Sequence, residues 1–106
     1  MMKNERRSFS MGELVWHRLY DHRGVVIDVD PVFTGSEKWY EQMVMSRPPK
    51  NEPWYHVLVH SAVHQTYVAE RNLDHDDSGE PINHPTIETL FSEFDGERYK
   101  LRFLSN

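Results

Sequence analysis

The sequence predicts a mainly β domain, a small barrel or sandwich, and three observations carry that prediction. The stretch P-W-Y-H-V-L-V-H-S-A-V-H-Q-T-Y-V-A-E-R-N-L, residues 53–73, is a run of aromatic and β-branched residues broken once. Such side chains fit a pleated, half-buried surface and lose rotamer freedom in a helix. The chain has 106 residues, of which 38% are hydrophobic but 12% aromatic, so a few large rings must fill a modest core. Further short segments alternate polar and apolar residues between turn signals.

In the first of these stretches, Pro53 marks the start of a strand over residues 54–59. Tyr55, Val57 and Val59 form its drier face and are placed on the core, with Trp54, His56, Leu58 and His60 opposite. Residues 65–69 form a second strand around Tyr67, and residues 61–64 connect the two as a hairpin. Without Gly, that connection does not suit a tight primed turn.

Earlier in the chain, residues 1–8 are polar and read as a mobile tail, and one domain spans residues 9–106. Residues 14–19 alternate as a strand, with Val15, His17 and Leu19 opposite Leu14, Trp16 and Arg18. Gly24 opens the next strand, which stops at Pro31, with Val26, Asp28 and Asp30 on one face. The span 32–52 is long for a connection in so small a domain, and it suits one short helix capped by Ser36 and ended before Ser46. Residues 74–85 are a polar loop. Thr86 to Phe94 predicts a helix, because Ile87, Leu90, Phe91 and Phe94 follow helical spacing, with Asn83 or His84 as cap and Gly96 beyond its end. The remainder alternates again: Tyr99, Leu101 and Phe103 against Lys100 and Arg102.

Composition narrows the chemistry. There is no cysteine, so no disulfide, thiolate metal site or cysteine nucleophile. No apolar run approaches a membrane span and the N-terminus has no apolar signal core, so a cytoplasmic protein is expected. The net charge of −5 is uneven: residues 1–50 carry eight Lys and Arg against seven Asp and Glu, residues 51–106 four against ten. That balance does not favour phosphate contacts, so a nucleic-acid role needs a local patch. Arg18, Arg23, Arg47 and Lys50 are the candidates.

Two patterns resemble metal sites and are read otherwise. Asp28 and Asp30 lie two apart on a strand, but no third acidic ligand has a recognisable spacing, and a solvated edge that resists strand pairing accounts for them. His56, His60 and His64 have the i, i+4, i+8 spacing of a helical zinc site, but their surroundings call for strand. No nucleophile elbow or phosphate loop is present, so no enzyme and no cofactor are expected. For partner binding the candidates are Trp39 and Tyr40, with Met43 and Met45 beside them, and the tail residues Tyr99, Leu101 and Phe103. The tail suits either a docked strand or an extended recognition element.

The phrases F-S-M-G-E-L-V-W-H-R, R-G-V-V-I-D-V-D-P, P-W-Y-H-V-L-V and Y-V-A-E-R-N-L occur in this order over residues 9–73. As a set they resemble the HspQ family, the YccV-like or hemimethylated-DNA-binding proteins of bacteria. That resemblance implies an SH3-like β-barrel and a non-enzymatic role in stress response. It also implies partners: the Lon protease, whose substrate choice members affect, the replication initiator DnaA, and hemimethylated DNA. It leaves homo-oligomerisation open. The expected function is a protease specificity factor; the alternative is a DNA-binding module using the four basic residues.

Overall fold

The computed structural model describes residues 8–43 and 45–102. The expected mobility of residues 1–8 concerns positions that, Ser8 excepted, lie outside them, as does Phe103. The chain runs β1 (Leu14–His17), β2 (His22–Asp30), α1 (Glu37–Met43), β3 (Trp54–Val59), β4 (Gln65–Ala69), β5 (Leu73–His75), α2 (Ile87–Leu90), β6 (Phe91–Phe94) and β7 (Tyr99–Leu101). The fold is mainly β, as expected. Five antiparallel strands form one sheet in the order β4-β3-β2-β1-β5, and β6 pairs with β7. The two edge strands β4 and β5 are joined by a single 3-10 turn, Glu70–Asn72, which brings the ends of the sheet toward each other.

The expected strand alternation holds for β3, but both its faces are buried. Val15, Val26, Tyr55, Val57 and Val68 pack with Phe9 and Leu73 on one side. Leu14, Val25 and Leu58 pack on the other against Ile82, Phe91 and Tyr99. Farther along that second side, Trp54 and Ala69 meet Tyr40, with Phe33, Trp39 and Tyr67 around them. Two separate segments therefore cover the second side: the 32–52 insert and the chain after Gly79.

Two sequence expectations need correction. The alternation of β2 breaks at Ile27, where a β-bulge shifts the register between Val26↔Val57 and Asp28↔His56. Asp28 and Asp30 consequently face away from Val26, not with it. On the β3 side they pair with His56 and Trp54, but β1 pairs with β2 only as far as Val25, so on the other side Asp28 and Asp30 stand on a locally unpaired stretch of strand, as the solvated-edge reading expects. The helix expected over 86–94 is a single turn, and Phe91–Phe94 is a strand. Asp95-Gly96 makes the hairpin to β7; the Asp95 carboxylate accepts from the amides of Glu97 and Arg98 at 2.9 Å each, and Gly96 has φ 98°. An Asp-Gly pair between strand residues is a strong hairpin signal, and it outweighs the helical stripe. Those apolar side chains still reach the second core.

The C-terminal hairpin is docked through Gly12. Its φ is 94°, and a Cβ there would lie 2.2 Å from the Tyr99 carbonyl oxygen, so only Gly fits. The Tyr99 amide donates to the Gly12 carbonyl at 2.8 Å and the Tyr99 hydroxyl accepts from the Ile82 amide at 2.8 Å.

Candidate partner-binding groove

The insert is an ordered aromatic lid. Ser36 caps α1 as expected, its hydroxyl accepting from the Trp39 amide at 3.0 Å. Tyr40 points inward and donates to the Pro48 carbonyl at 2.6 Å, while the Trp54 indole donates to Pro49 at 3.1 Å. Lys50 pairs with Glu37 and stands 4.3 Å from the Tyr40 ring centre, closing the insert on itself. Phe33 is ringed by Trp39, Tyr40, Trp54 and Tyr67 at centroid distances of 4.8 to 6.0 Å.

A polar network ties this lid to the sheet. The Asp30 carboxylate accepts from the hydroxyls of Tyr67 at 2.7 Å and Thr34 at 2.8 Å, and lies 3.1 Å from His56 Nε2. The Tyr67 hydrogen bond first, then those of Thr34 and His56, hold the Asp30 carboxyl below the usual carboxylate range. Asp28, Asp30 and His56 bring one ligand atom each within 4.8 Å of one another, which is the grouping among the described residues that could hold a metal ion. Three hydrogen-bond contacts converge on Asp30 Oδ2 and tie Thr34, His56 and Tyr67 together, so the arrangement reads as a brace. The other two histidines of the zinc-like spacing are not in this grouping: His60 Nδ1 accepts from the Asn83 amide at 2.9 Å, and the His64 carbonyl lies 3.0 Å from His84 Nε2. Sequence spacing alone could not find Asp30 with His56, because they meet across strands.

Beside the lid the surface stays open. Tyr20, Trp39, Met43, Thr66 and Tyr67 line a depression of about 820 Å³ and a second of about 270 Å³, which together make one groove along β4. Met43 and Tyr20 are each 59% exposed and Met45 83%. Apolar side chains thus stand in contact with solvent along one flank of the lid. His17 and His22 stand at one wall with ring centres 5.1 Å apart. His17 is buried, its Nδ1 accepts from the amides of Leu19 and Tyr20, and burial followed by the nearby His22 brings its pKa down to about 4. Burial also lowers His22, whose Nδ1 is buried without a hydrogen-bond partner among the described residues.

The predicted partner-binding residues separate sharply. Trp39 lines the groove, with Met43 and Met45. Tyr40 and Tyr99 are buried in two different cores and present no surface, because each ring is consumed in packing and each hydroxyl is hydrogen-bonded. Leu101 packs half-buried against the second core as part of β7, so the tail through residue 101 is a docked strand. Tyr20 and Tyr67 were missed. Tyr20 follows the expected first strand and Tyr67 lies in the second strand of the expected hairpin, and neither position marks it as part of a groove until the chain is folded.

The four basic candidates do not gather into one patch. Arg23 is bound to Asp76 at 2.6 Å and to the Glu80 carbonyl at 2.5 Å. Arg18 meets Asp74 at 3.4 Å and the Arg71 carbonyl at 2.9 Å. Lys50 is held by Glu37. Arg47 alone of the four has no carboxylate partner among the described residues; its guanidinium stands 6.0 Å from the Tyr40 ring.

No helix among the described residues is long and apolar enough to cross a membrane. No solved structure matches the chain. The sequence pattern of a family described as "Hemimethylated DNA-binding protein YccV like" matches residues 7–98, reaching beyond the phrases that first suggested it to include β6 and ending just before β7. Strand phrases, sheet and pattern agree, and the chain belongs to the YccV-like family.

Proposed function

We propose that this chain is a non-enzymatic cytoplasmic regulator that binds other proteins, acting as a specificity factor with the Lon protease and affecting turnover of DnaA. The groove of Tyr20, Trp39, Met43 and Tyr67 is the observation that carries this reading. Aromatic and Met side chains are enriched at protein interfaces, and here Tyr20 and Met43 are exposed beside the half-buried rings of Trp39 and Tyr67. The carboxylates held against Arg18, Arg23 and Lys50 weigh in the same direction, since they offset the charge a phosphate backbone needs. Degradation of DnaA by purified Lon, with and without the chain, is the test. A changed rate of DnaA loss is expected; an unchanged rate overturns the protease role.

The family description favours a second reading, binding of hemimethylated DNA, and Arg47 is the residue best placed to serve it. Arg47→Ala should then weaken binding to methylated, hemimethylated and unmethylated duplexes alike, because phosphate contacts carry no sequence information directly. Absence of binding to any duplex at low salt removes this reading.

A further inference from the structure

We infer that β4 is a peptide-binding edge: the groove beside it takes an extended segment of a partner protein as a sixth strand, with apolar side chains at alternate positions and a carboxylate near Arg47. This rests on the protein-binding reading above and specifies the form of the partner.

Among the described residues β4 pairs with β3 alone. Two main-chain bonds fix which of its groups are engaged: the Val59 amide donates to the His64 carbonyl at 3.3 Å, and the Glu70 amide donates to the Pro53 carbonyl at 3.0 Å. Antiparallel ladders alternate between residue pairs that exchange hydrogen bonds and pairs that do not. Continued inward in the observed register, the bonded pairs are Val57 with Thr66 and Tyr55 with Val68. Gln65 and Tyr67 therefore turn their N–H and C=O groups away from β3, toward the open edge. Neither makes another main-chain bond among the described residues.

That edge opens into the groove. Gln65, Thr66 and Tyr67 line its larger part and Thr66 through Ala69 its smaller part, so the groove follows the strand from end to end. Trp39 and Met43 of α1 form one wall and Tyr20 of the β1–β2 turn stands in the other. Exposed edges are ordinarily blunted by charge or proline, yet Q-T-Y-V-A carries neither. An extended peptide added there would gain main-chain hydrogen bonds from Gln65 and Tyr67, and its alternate side chains would meet apolar walls.

Charge complementarity sets the polarity of the occupant. At the Ala69 end, Ser46 lines the groove next to Arg47 and accepts from the Asn72 side-chain amide at 3.2 Å, next to Arg71. Arg18 reaches the Arg71 carbonyl at 2.9 Å, and the Arg47 guanidinium stands 6.0 Å from the ring of Tyr40, which packs with Ala69, so these arginines flank this end without lining the groove. Asp74 faces Arg18 and Glu52 faces Arg71, which leaves Arg47 to receive a carboxylate from outside. Histidines 22, 56 and 64 stand at the Gln65 end.

The test pans a displayed library of random octapeptides against the full chain and then examines one enriched peptide in solution. Enriched sequences are expected to alternate apolar and polar residues and to carry Asp or Glu toward one end. On binding, hydrogen exchange should slow at the amides of Gln65 and Tyr67 and stay unchanged at Thr66 and Val68, which the ladder already protects. Gln65→Pro removes an outward donor without costing a ladder bond, and Met43→Lys puts a charge in the wall while leaving the β4 main chain intact. Each should weaken the peptide at least about tenfold, with melting as in the wild type. If Gln65→Pro does not fold, Met43→Lys and the exchange pattern decide. A library without enrichment, a peptide bound at full strength by Met43→Lys, or protection at Gln65 and Tyr67 that rises with protein concentration in the absence of peptide, as pairing of two copies would give, overturns the inference. Peptide capture with no effect on DnaA turnover keeps the edge and removes the protease role; an effect on turnover with no peptide captured does the reverse.

Discussion

The insert and the C-terminal segment cover the same side of one sheet, and both are rich in aromatic residues, yet they end in opposite states. The C-terminal segment gives up its apolar surface: Ile82, Phe91 and Tyr99 are buried, and its main chain is bonded to Gly12. The insert buries Tyr40 and half-buries Trp39, then leaves Met43 and Met45 in the open. An apolar stripe in a sequence is thus no evidence of an interface until its packing is known. What distinguishes the two is closure. The hairpin at Asp95-Gly96 folds its strands onto the core, whereas the insert closes on its own Lys50–Glu37 and Tyr40–Pro48 contacts and keeps one flank unused.

The largest break comes from beneath both segments. Val57→Asp should abolish cooperative melting, because Val57 is buried between strands and an unpaired buried carboxylate costs several kcal/mol, much of the stability of so small a domain. Next, Tyr99→Ala should cost about 3–5 kcal/mol, measured by denaturant titration, since it removes a buried ring and its hydrogen bond to Ile82. An effect below about 1 kcal/mol would mean that the hairpin is not a structural element.

Acid should sharpen the comparison from the groove side. His17 is neutral when folded, with a pKa near 4 against 6.5 for the ordinary imidazole, so the unfolded chain takes up more protons between those values. Stability is then full above about pH 6.5 and falls toward pH 4, by at most about 3 kcal/mol. His17→Gln should flatten that slope between pH 6.5 and 4, and a slope unchanged in the variant would assign it to other groups. The smallest effect on stability is expected in the insert: Met45→Ser should move the melting free energy by less than about 0.5 kcal/mol while diminishing the chain's effect on DnaA degradation by Lon.

Much of the sheet was legible because alternation is a local property. The strands around residues 14–17, 24–30, 54–59 and 65–69 could all be read from period two and turn residues. The bulge at Ile27 could not, since an extra residue leaves the apolar pattern of Val25, Val26, Ile27 and Val29 looking continuous. The helix over 86–94 failed for a related reason: a stripe that suits a helical face also suits one turn followed by a hairpin. The face of Asp28 and Asp30 was misread because the extra residue at the bulge turns both away from Val26. Of the groove, Trp39, Met43 and Met45 could be seen in sequence; Tyr20 and Tyr67 join them only when the β1–β2 turn and β4 are folded beside α1.

The most direct measurement compares one exposed charge change in each segment: Met43→Lys in the insert and Lys100→Glu in the C-terminal hairpin. Lys100 sits in an exposed ion pair with Glu93 at 3.2 Å, a contact worth little to stability. Both variants should melt as the wild type does. In DnaA degradation by Lon, Met43→Lys should abolish the chain's effect on the rate, and Lys100→Glu should leave it intact. Equal loss in both, or loss confined to Lys100→Glu, would contradict the assignment of the partner surface to the groove.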